Sequence, residues 1–162
     1  MQVLLIQTGG TIDKDYREGA GTYNFEIMDP AAQRILERIK PSFEYRILPL
    51  LQKDSQDISD EDRQLLLKTC QDAEEKYIVI THGTDTMVET GEFLNGVSDK
   101  VIVITGSSRP ERFSKSDAPF NLGLAFGALT RLPDGIYVAM SGCVLPWNHI
   151  AKDPHTGQFI KH

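Results

Sequence analysis

Two short segments carry residue types suited to attack on a carbonyl group. Thr8-Gly9-Gly10-Thr11 sets hydroxyls beside two glycines, and His82-Gly83-Thr84-Asp85-Thr86 sets hydroxyls beside a glycine and a carboxylate. Glycine lets backbone N–H groups approach an anion closely, and flanked by threonine such a pair can hold a developing oxyanion beside a hydroxyl nucleophile. Thr11 would be that nucleophile. Phosphate binding is the competing use of a glycine pair after a strand. However, the dinucleotide fingerprint needs three spaced glycines opening a helix and the nucleotide loop needs Gly-Lys-Ser/Thr, whereas a charged stretch from Asp13 to Gly21 follows Thr11.

A threonine hydroxyl is inert near neutral pH unless a base takes its proton. His82 and Lys152 are the candidates. A histidine at a strand end commonly makes a structural hydrogen bond, and a lysine becomes a base when desolvated among hydroxyls; residue types alone do not choose. His149, His155 and His162 match no usual metal spacing, so no metal is expected. Cys70 and Cys143 form neither a disulfide framework nor a metal site, and they fit a reducing cytoplasm.

The elements that must position these groups are legible as five apolar runs at residues 3–6, 45–51, 77–81, 101–105 and 135–140. Between them lie helical periodicities: Ala32, Ile35, Leu36, Ile39; then Leu66, Cys70, Ala73; then Thr90, Phe93, Leu94, Val97; and Ala125, Ala128, Leu129, Leu132. Strands apolar along most of their length belong in a sheet covered on both faces. The expected fold is therefore α/β, a Rossmann-like, mostly parallel sheet with helices on both faces, in a single domain of 162 residues. Ser59 before three acids reads as an N-cap, as does Asp29 before Pro30 at a first helical position.

Each strand leads into a polar cluster: residues 8–11, 53–57, 81–86, 105–110 and 141–142. Ligands of open α/β sheets bind beyond the carboxyl ends of the strands, so the five clusters are expected to line one crevice. Turn and cap formation is the alternative use of these residue types. Residues 12–28 lack any sustained period, and the part from Asp13 to Tyr23 reads as a mobile lid.

Composition excludes several classes. With 23 acidic against 17 basic residues and a net charge of −6, no nucleic-acid or anionic-membrane partner is expected. No stretch approaches the ~18 apolar residues of a membrane span, and residues 3–6 are too short for the core of a leader.

With these segments in place, the chain resembles the amino-terminal domain of bacterial-type L-asparaginases. Thr8-Gly9-Gly10-Thr11-Ile12 and His82-Gly83-Thr84-Asp85-Thr86-Met87 carry the resemblance, supported by Ser55-Gln56-Asp57, Arg109-Pro110, residues 117–121 and the Lys152 segment. The resemblance implies that Thr11 attacks a side-chain amide to form an acyl-enzyme, with Tyr23 as its partner and Tyr16 as a rival for that place. It implies that Thr84, Lys152 and Asp85 form a second catalytic cluster in which the lysine and threonine relay a proton, and that Ser55, Gln56 and Asp85 hold the α-carboxylate and α-amino groups, with Gly10 and Gly83 counted among the substrate-binding positions. The implied reaction converts L-asparagine to L-aspartate and ammonia with no cofactor. Action on glutamine or another amide, or a non-catalytic amino-acid-binding relic, are the alternatives.

Family members typically carry a second domain of over a hundred residues, which is absent here, so a short single-domain asparaginase is expected. In the long enzymes a neighbouring subunit completes the pocket. A homo-oligomer, dimer or tetramer, is therefore expected, with another group of the same or a partner chain closing the site.

Overall fold

The computed structural model describes residues 1–17 and 24–162. Its central sheet has six strands in the order β4-β1-β5-β6-β7-β8, where β1 is Gln2–Gly9, β4 Glu44–Lys53, β5 Tyr77–Thr81, β6 Val101–Thr105, β7 Gly135–Met140 and β8 Cys143–Pro146. The first five are mutually parallel, and β8 closes one edge antiparallel to β7.

Successive side chains along a strand point to opposite faces, and both faces here are apolar. Val3, Leu5, Val79, Val101, Val103 and Ala139 lie on one face beneath helices α1 (Ala31–Ile39) and α4 (Ala118–Ala128), which contribute Ile35, Leu36, Leu122 and Ala125. Leu4, Ile6, Ile78, Ile80, Ile102, Ile104 and Val138 lie on the other, beneath α2 (Asp60–Asp72) and α3 (Met87–Phe93) with Leu66, Cys70 and Met87. Burying one such side chain contributes roughly 1.5–3 kcal/mol, so the doubly covered strands dominate the stability of the sheet. The parallel α/β sheet expected from the apolar runs is the one observed.

The edge strands are less apolar. In β4, Glu44, Tyr45 and Arg46 are exposed, and Pro49 occupies a position that only an edge strand tolerates.

Several elements differ from the sequence-based expectation. Part of the stretch 12–28 is a small hairpin of β2 (Lys14–Tyr16) and β3 (Phe25–Ile27), with Tyr16 opposite Phe25. Three-residue strands are too short to show a period. Residues 18–23, including Tyr23 and the middle of the expected lid, lie outside the described residues. The cluster at 141–142 is a tight turn, with Ser141 at φ 53° and Gly142 at φ 83°, that reverses the chain into β8. A second small hairpin joins β9 (Ile150–Lys152) to β10 (Phe159–Lys161) and buries Ile150 and Phe159 beneath the sheet.

Helix starts follow one expectation and correct another. Ser59 caps α2 in a reciprocal box with Asp62, each side chain accepting the other's backbone N–H. Pro30 is itself the residue preceding α1, so Asp29 does not cap it; Asp13 instead accepts the Ala31 N–H at 2.7 Å.

Candidate active site

Three of the five strand-end clusters meet, those of β1, β4 and β5. They line a cavity of about 340 Å³ whose walls are Thr11, Lys14, Asp54, Ser55, Gln56, Asp57, Gly83, Thr84 and Asp85. A separate hollow of about 250 Å³ lies at the amino end of β1 and β4 around Gln2, Glu44 and Glu75 and offers no nucleophile.

The approach of the three loops depends on glycine. At the end of β1 the pairing with β4 shifts register between Gln7 and Gly9, and a Cβ on Gly9 would lie 2.5 Å from the Lys53 carbonyl oxygen. Gly9 and Gly10 both adopt positive φ, 112° and 85°, and the Gly10 N–H donates to that carbonyl at 3.0 Å. A bulge of this kind beside a site re-aims the side chain that follows, here Thr11. Thr8 donates to the Thr81 carbonyl at 2.9 Å, and Thr86 to the Ser55 carbonyl at 2.8 Å. These bonds tie the β1, β4 and β5 loops to one another from behind the cavity.

Lys152 reaches the rim from β9. Its Nζ donates to Thr84 Oγ1 at 2.9 Å and to Asp85 Oδ1 at 2.7 Å, while Gln56 Nε2 donates to Asp85 Oδ2 at 2.9 Å. Lys152, and secondarily Gln56, hold the Asp85 carboxyl below the usual carboxylate range, so it is ionised at neutral pH. The lysine side chain is 32% exposed and ion-paired, not desolvated among hydroxyls as expected of a free base. Its contact polarises the Thr84 hydroxyl, whose own proton is free to be given elsewhere. Lys14, a wall residue the sequence did not single out, is paired with Asp54 at 2.8 Å. Neither a charge in a three-residue strand nor an acid in a turn carries a distinguishing pattern.

Other expected residues lie apart. Tyr16 is 51% exposed, its ring centroid 5.1 Å from that of Phe25, and it is not among the wall residues. The β6 cluster is closed on itself, with Asp117 accepting the N–H groups of Ser108 and Arg109. The turn at 141–142 faces β10, where Ser141 Oγ accepts the Phe159 N–H. Cluster convergence therefore stops at three, because β8 turns the chain back beside β7 and the β6 loop spends its polar groups on its own turn. His82 is buried behind the cavity and does not line it. Among the described residues no group of three or more His, Cys, Asp or Glu is arranged to hold a metal.

A Rossmann-like sheet whose first strand delivers a threonine to a cavity bordered by a lysine–threonine–aspartate cluster places the protein among α/β folds with a polar site at the carboxyl ends of their strands. The chain belongs to the asparaginase family: the profile of the asparaginase amino-terminal domain matches residues 2–157. It is 30% identical to a glutaminase-asparaginase of Acinetobacter glutaminasificans, an alignment covering 98% of this chain and 52% of that protein. The structure resembles the thermostable L-asparaginase of Thermococcus kodakarensis with a TM-score of 0.86 at 28% identity, covering 99% of this chain and 51% of the other. A probable cytoplasmic L-asparaginase of Campylobacter jejuni gives a TM-score of 0.78 at 26% identity, with 99% and 52% covered. The chain thus spans about half the length of the relatives it matches. No helix among the described residues is long and apolar enough to cross a membrane.

Proposed function

We propose that the protein hydrolyses the side-chain amide of L-asparagine, giving L-aspartate and ammonia through an acyl ester on Thr11. The observation that carries this is the shared cavity: Thr11 on one wall, and on another Thr84, bonded at 2.9 Å to Lys152. Thr11 Oγ attacks the amide carbon and the C–N bond breaks. The proton lost by Thr11 ends on the departing nitrogen, passed through the hydroxyl of Thr84 that Lys152 polarises. Water then adds to the ester, returns a proton to Thr11 Oγ and releases the carboxylate. The backbone N–H groups of Thr11 and Thr84 are the donors for the oxyanion.

In this reading Ser55 and Gln56 take the α-carboxylate end and Asp85 the α-amino end, since a zwitterion needs donors for one and a carboxylate for the other. Gly10 and Gly83 present their backbones to the substrate, and Tyr23 is the partner of Thr11. Glutamine is the second substrate, a reading favoured by relatives named glutaminase-asparaginase. The protein acts in the cytoplasm on a small-molecule substrate, as a homo-oligomer in which a partner closes the open side of the cavity.

Ammonia release from asparagine, glutamine and peptide amides tests the proposal, with Thr11→Ala beside the parent. The parent is expected to release ammonia from asparagine and the variant to release none above background. Activity retained in Thr11→Ala removes threonine from the nucleophile role. Calorimetric binding of asparagine with no ammonia at high protein concentration makes the protein an amino-acid-binding relic.

A further inference from the structure

His82 is fully buried, yet both ring nitrogens are hydrogen-bonded, and the chemistry of its neighbours fixes where every proton lies. Nδ1 stands 2.8 Å from the Gly83 carbonyl oxygen, which can only accept, so Nδ1 carries the proton. Burial, opposed by that hydrogen bond and assisted by the nearby Arg63 charge, pushes the imidazole down to about 4. The ring is therefore neutral at pH 7 and Nε2 is a bare acceptor. The Thr90 hydroxyl, 2.9 Å from Nε2, must donate to it, and its oxygen accepts from Arg63 Nε at 3.2 Å. Arg63 is held in turn by the Ile58 carbonyl at 3.1 Å and by Asp60 and Glu89 at 3.5 and 3.7 Å.

The relay ends on a peptide that borders the cavity. The Gly83 carbonyl and the Thr84 N–H are opposite ends of one trans peptide and point in opposite directions. Drawing the carbonyl toward buried His82 turns the N–H to the other side, where Gly83 and Thr84 line the cavity with Thr11. Among the described residues no backbone acceptor takes that N–H. The backbone of His82 is clamped as well: its N–H donates to the Thr105 carbonyl at 2.9 Å, and its own carbonyl lies 2.3 Å from where a Cβ on Gly106 would stand.

We propose that Arg63, Thr90 and His82 are positioning residues, a one-directional hydrogen-bond relay that locks the Gly83–Thr84 peptide so that the Thr84 N–H faces the reacting carbonyl. The inference rests on the amidohydrolase reading of the cavity. None of the three touches substrate. Valine at position 90 would fill the space of threonine and leave Nε2 without its donor, freeing the ring to exchange tautomers and the peptide to tilt. A displacement of about 1 Å at a reacting centre is enough to lower a rate by roughly 100-fold.

The test compares Thr90→Val and Thr90→Ser with the parent in kcat and KM for ammonia release, in melting temperature, and in nitrogen NMR of the histidine ring and the Thr84 amide. Thr90→Val is expected to lose about 10- to 100-fold in kcat with KM within about two-fold, and Thr90→Ser to recover to within about three-fold. Parent kcat in Thr90→Val, or an equal loss in Thr90→Ser with both melting like the parent, overturns the relay. Should Thr90→Val not fold, His82→Asn and His82→Gln replace it, because the asparagine amide nitrogen mimics Nδ1 and that of glutamine mimics Nε2. Asparagine is expected to retain about tenfold more activity, and the reverse order overturns the relay. A parent that releases no ammonia from any amide overturns the hydrolase reading. The relay is then decided by NMR: a Thr84 amide signal moved in Thr90→Val and restored in Thr90→Ser supports it, and an unmoved signal overturns it.

Discussion

Gly10 and Gly83 meet backbone to backbone: a Cβ on Gly10 would stand 2.4 Å from both the Cα and the N of Gly83. No side chain can relieve that contact, because both partners are main chain. Gly10→Ala must therefore push the β1 and β5 loops apart, and it also strains a backbone at φ 85°. Ammonia release is expected to fall by more than about 100-fold while far-ultraviolet circular dichroism stays that of the parent. An active Gly10→Ala would show that the two loops need not touch.

Lys152 binds both Thr84 and Asp85, so Lys152→Met should affect two properties at once. The rate is expected to drop by roughly 10²–10⁴-fold, the range for a lost proton-transfer group. Asp85, held down chiefly by Lys152, should titrate at higher pH in the variant. Calorimetric binding of aspartate would then weaken on acidification from a higher pH than in the parent, and unchanged acid limbs would count against Asp85 as the α-amino ligand.

Asp13 and His82 give opposite pH dependences to stability. Burial raises the Asp13 carboxyl to about 7, against the hydrogen bond from the Ala31 N–H that lowers it, so its contribution is complete below the unfolded value near 3.8 and is lost as pH rises through 7. His82, at about 4, contributes stability that is present above 6.5 and lost as pH falls through 4, roughly 3 kcal/mol at 1.36 kcal/mol per pH unit. The parent should therefore be nearly level between pH 4 and 6.5. Asp13→Asn mimics the protonated acid, keeping an acceptor for the Ala31 N–H and offering a donor where Asp13 Oδ2 and Gln7 Oε1 are both buried without a partner. Urea midpoints of this variant are expected to rise steadily with pH over that window and to exceed the parent's at pH 8. A level profile in Asp13→Asn would contradict the assignment.

Ser59 closes the capping box of α2. Ser59→Ala is expected to cost about 1 kcal/mol and to lower the melting temperature by roughly 2–4 °C, with kcat and KM unchanged.

What the sequence makes legible follows from how local the signal is. Residues 77–81, 101–105 and 135–140 form strands with those bounds because each is a mostly apolar run whose side chains are buried on both faces of the sheet. The edges are harder. β8 follows β7 after two residues and ends in proline, so it reads as loop, and its pairing comes from the positive φ of Ser141 and Gly142. The β4 run expected at 45–51 extends to 44–53 because charged ends cost nothing on an exposed edge. The periodicity from Ala125 to Leu132 captures only the end of α4, since its earlier part is apolar all round and has no single face. At the site, Thr11, Ser55, Thr84 and Asp85 are legible from their place after strands. Lys14 and the Arg63–Thr90 relay are not, because a threonine or arginine on a helix reveals its partner only once the helix is docked.

The contact between Lys152 and Thr84 spans 68 residues, and Lys152 comes from a hairpin outside the parallel sheet, fixed by Ile150 and Phe159. During synthesis, the threonines of β1 and β5 leave the ribosome long before this lysine does. A nascent chain can thus assemble all five parallel strands and shape its cavity while lacking the cation that contacts Thr84. The Lys152–Thr84 contact is thus the late step of site assembly, made only after residues 150–161 have been synthesised and their hairpin has docked through Ile150 and Phe159.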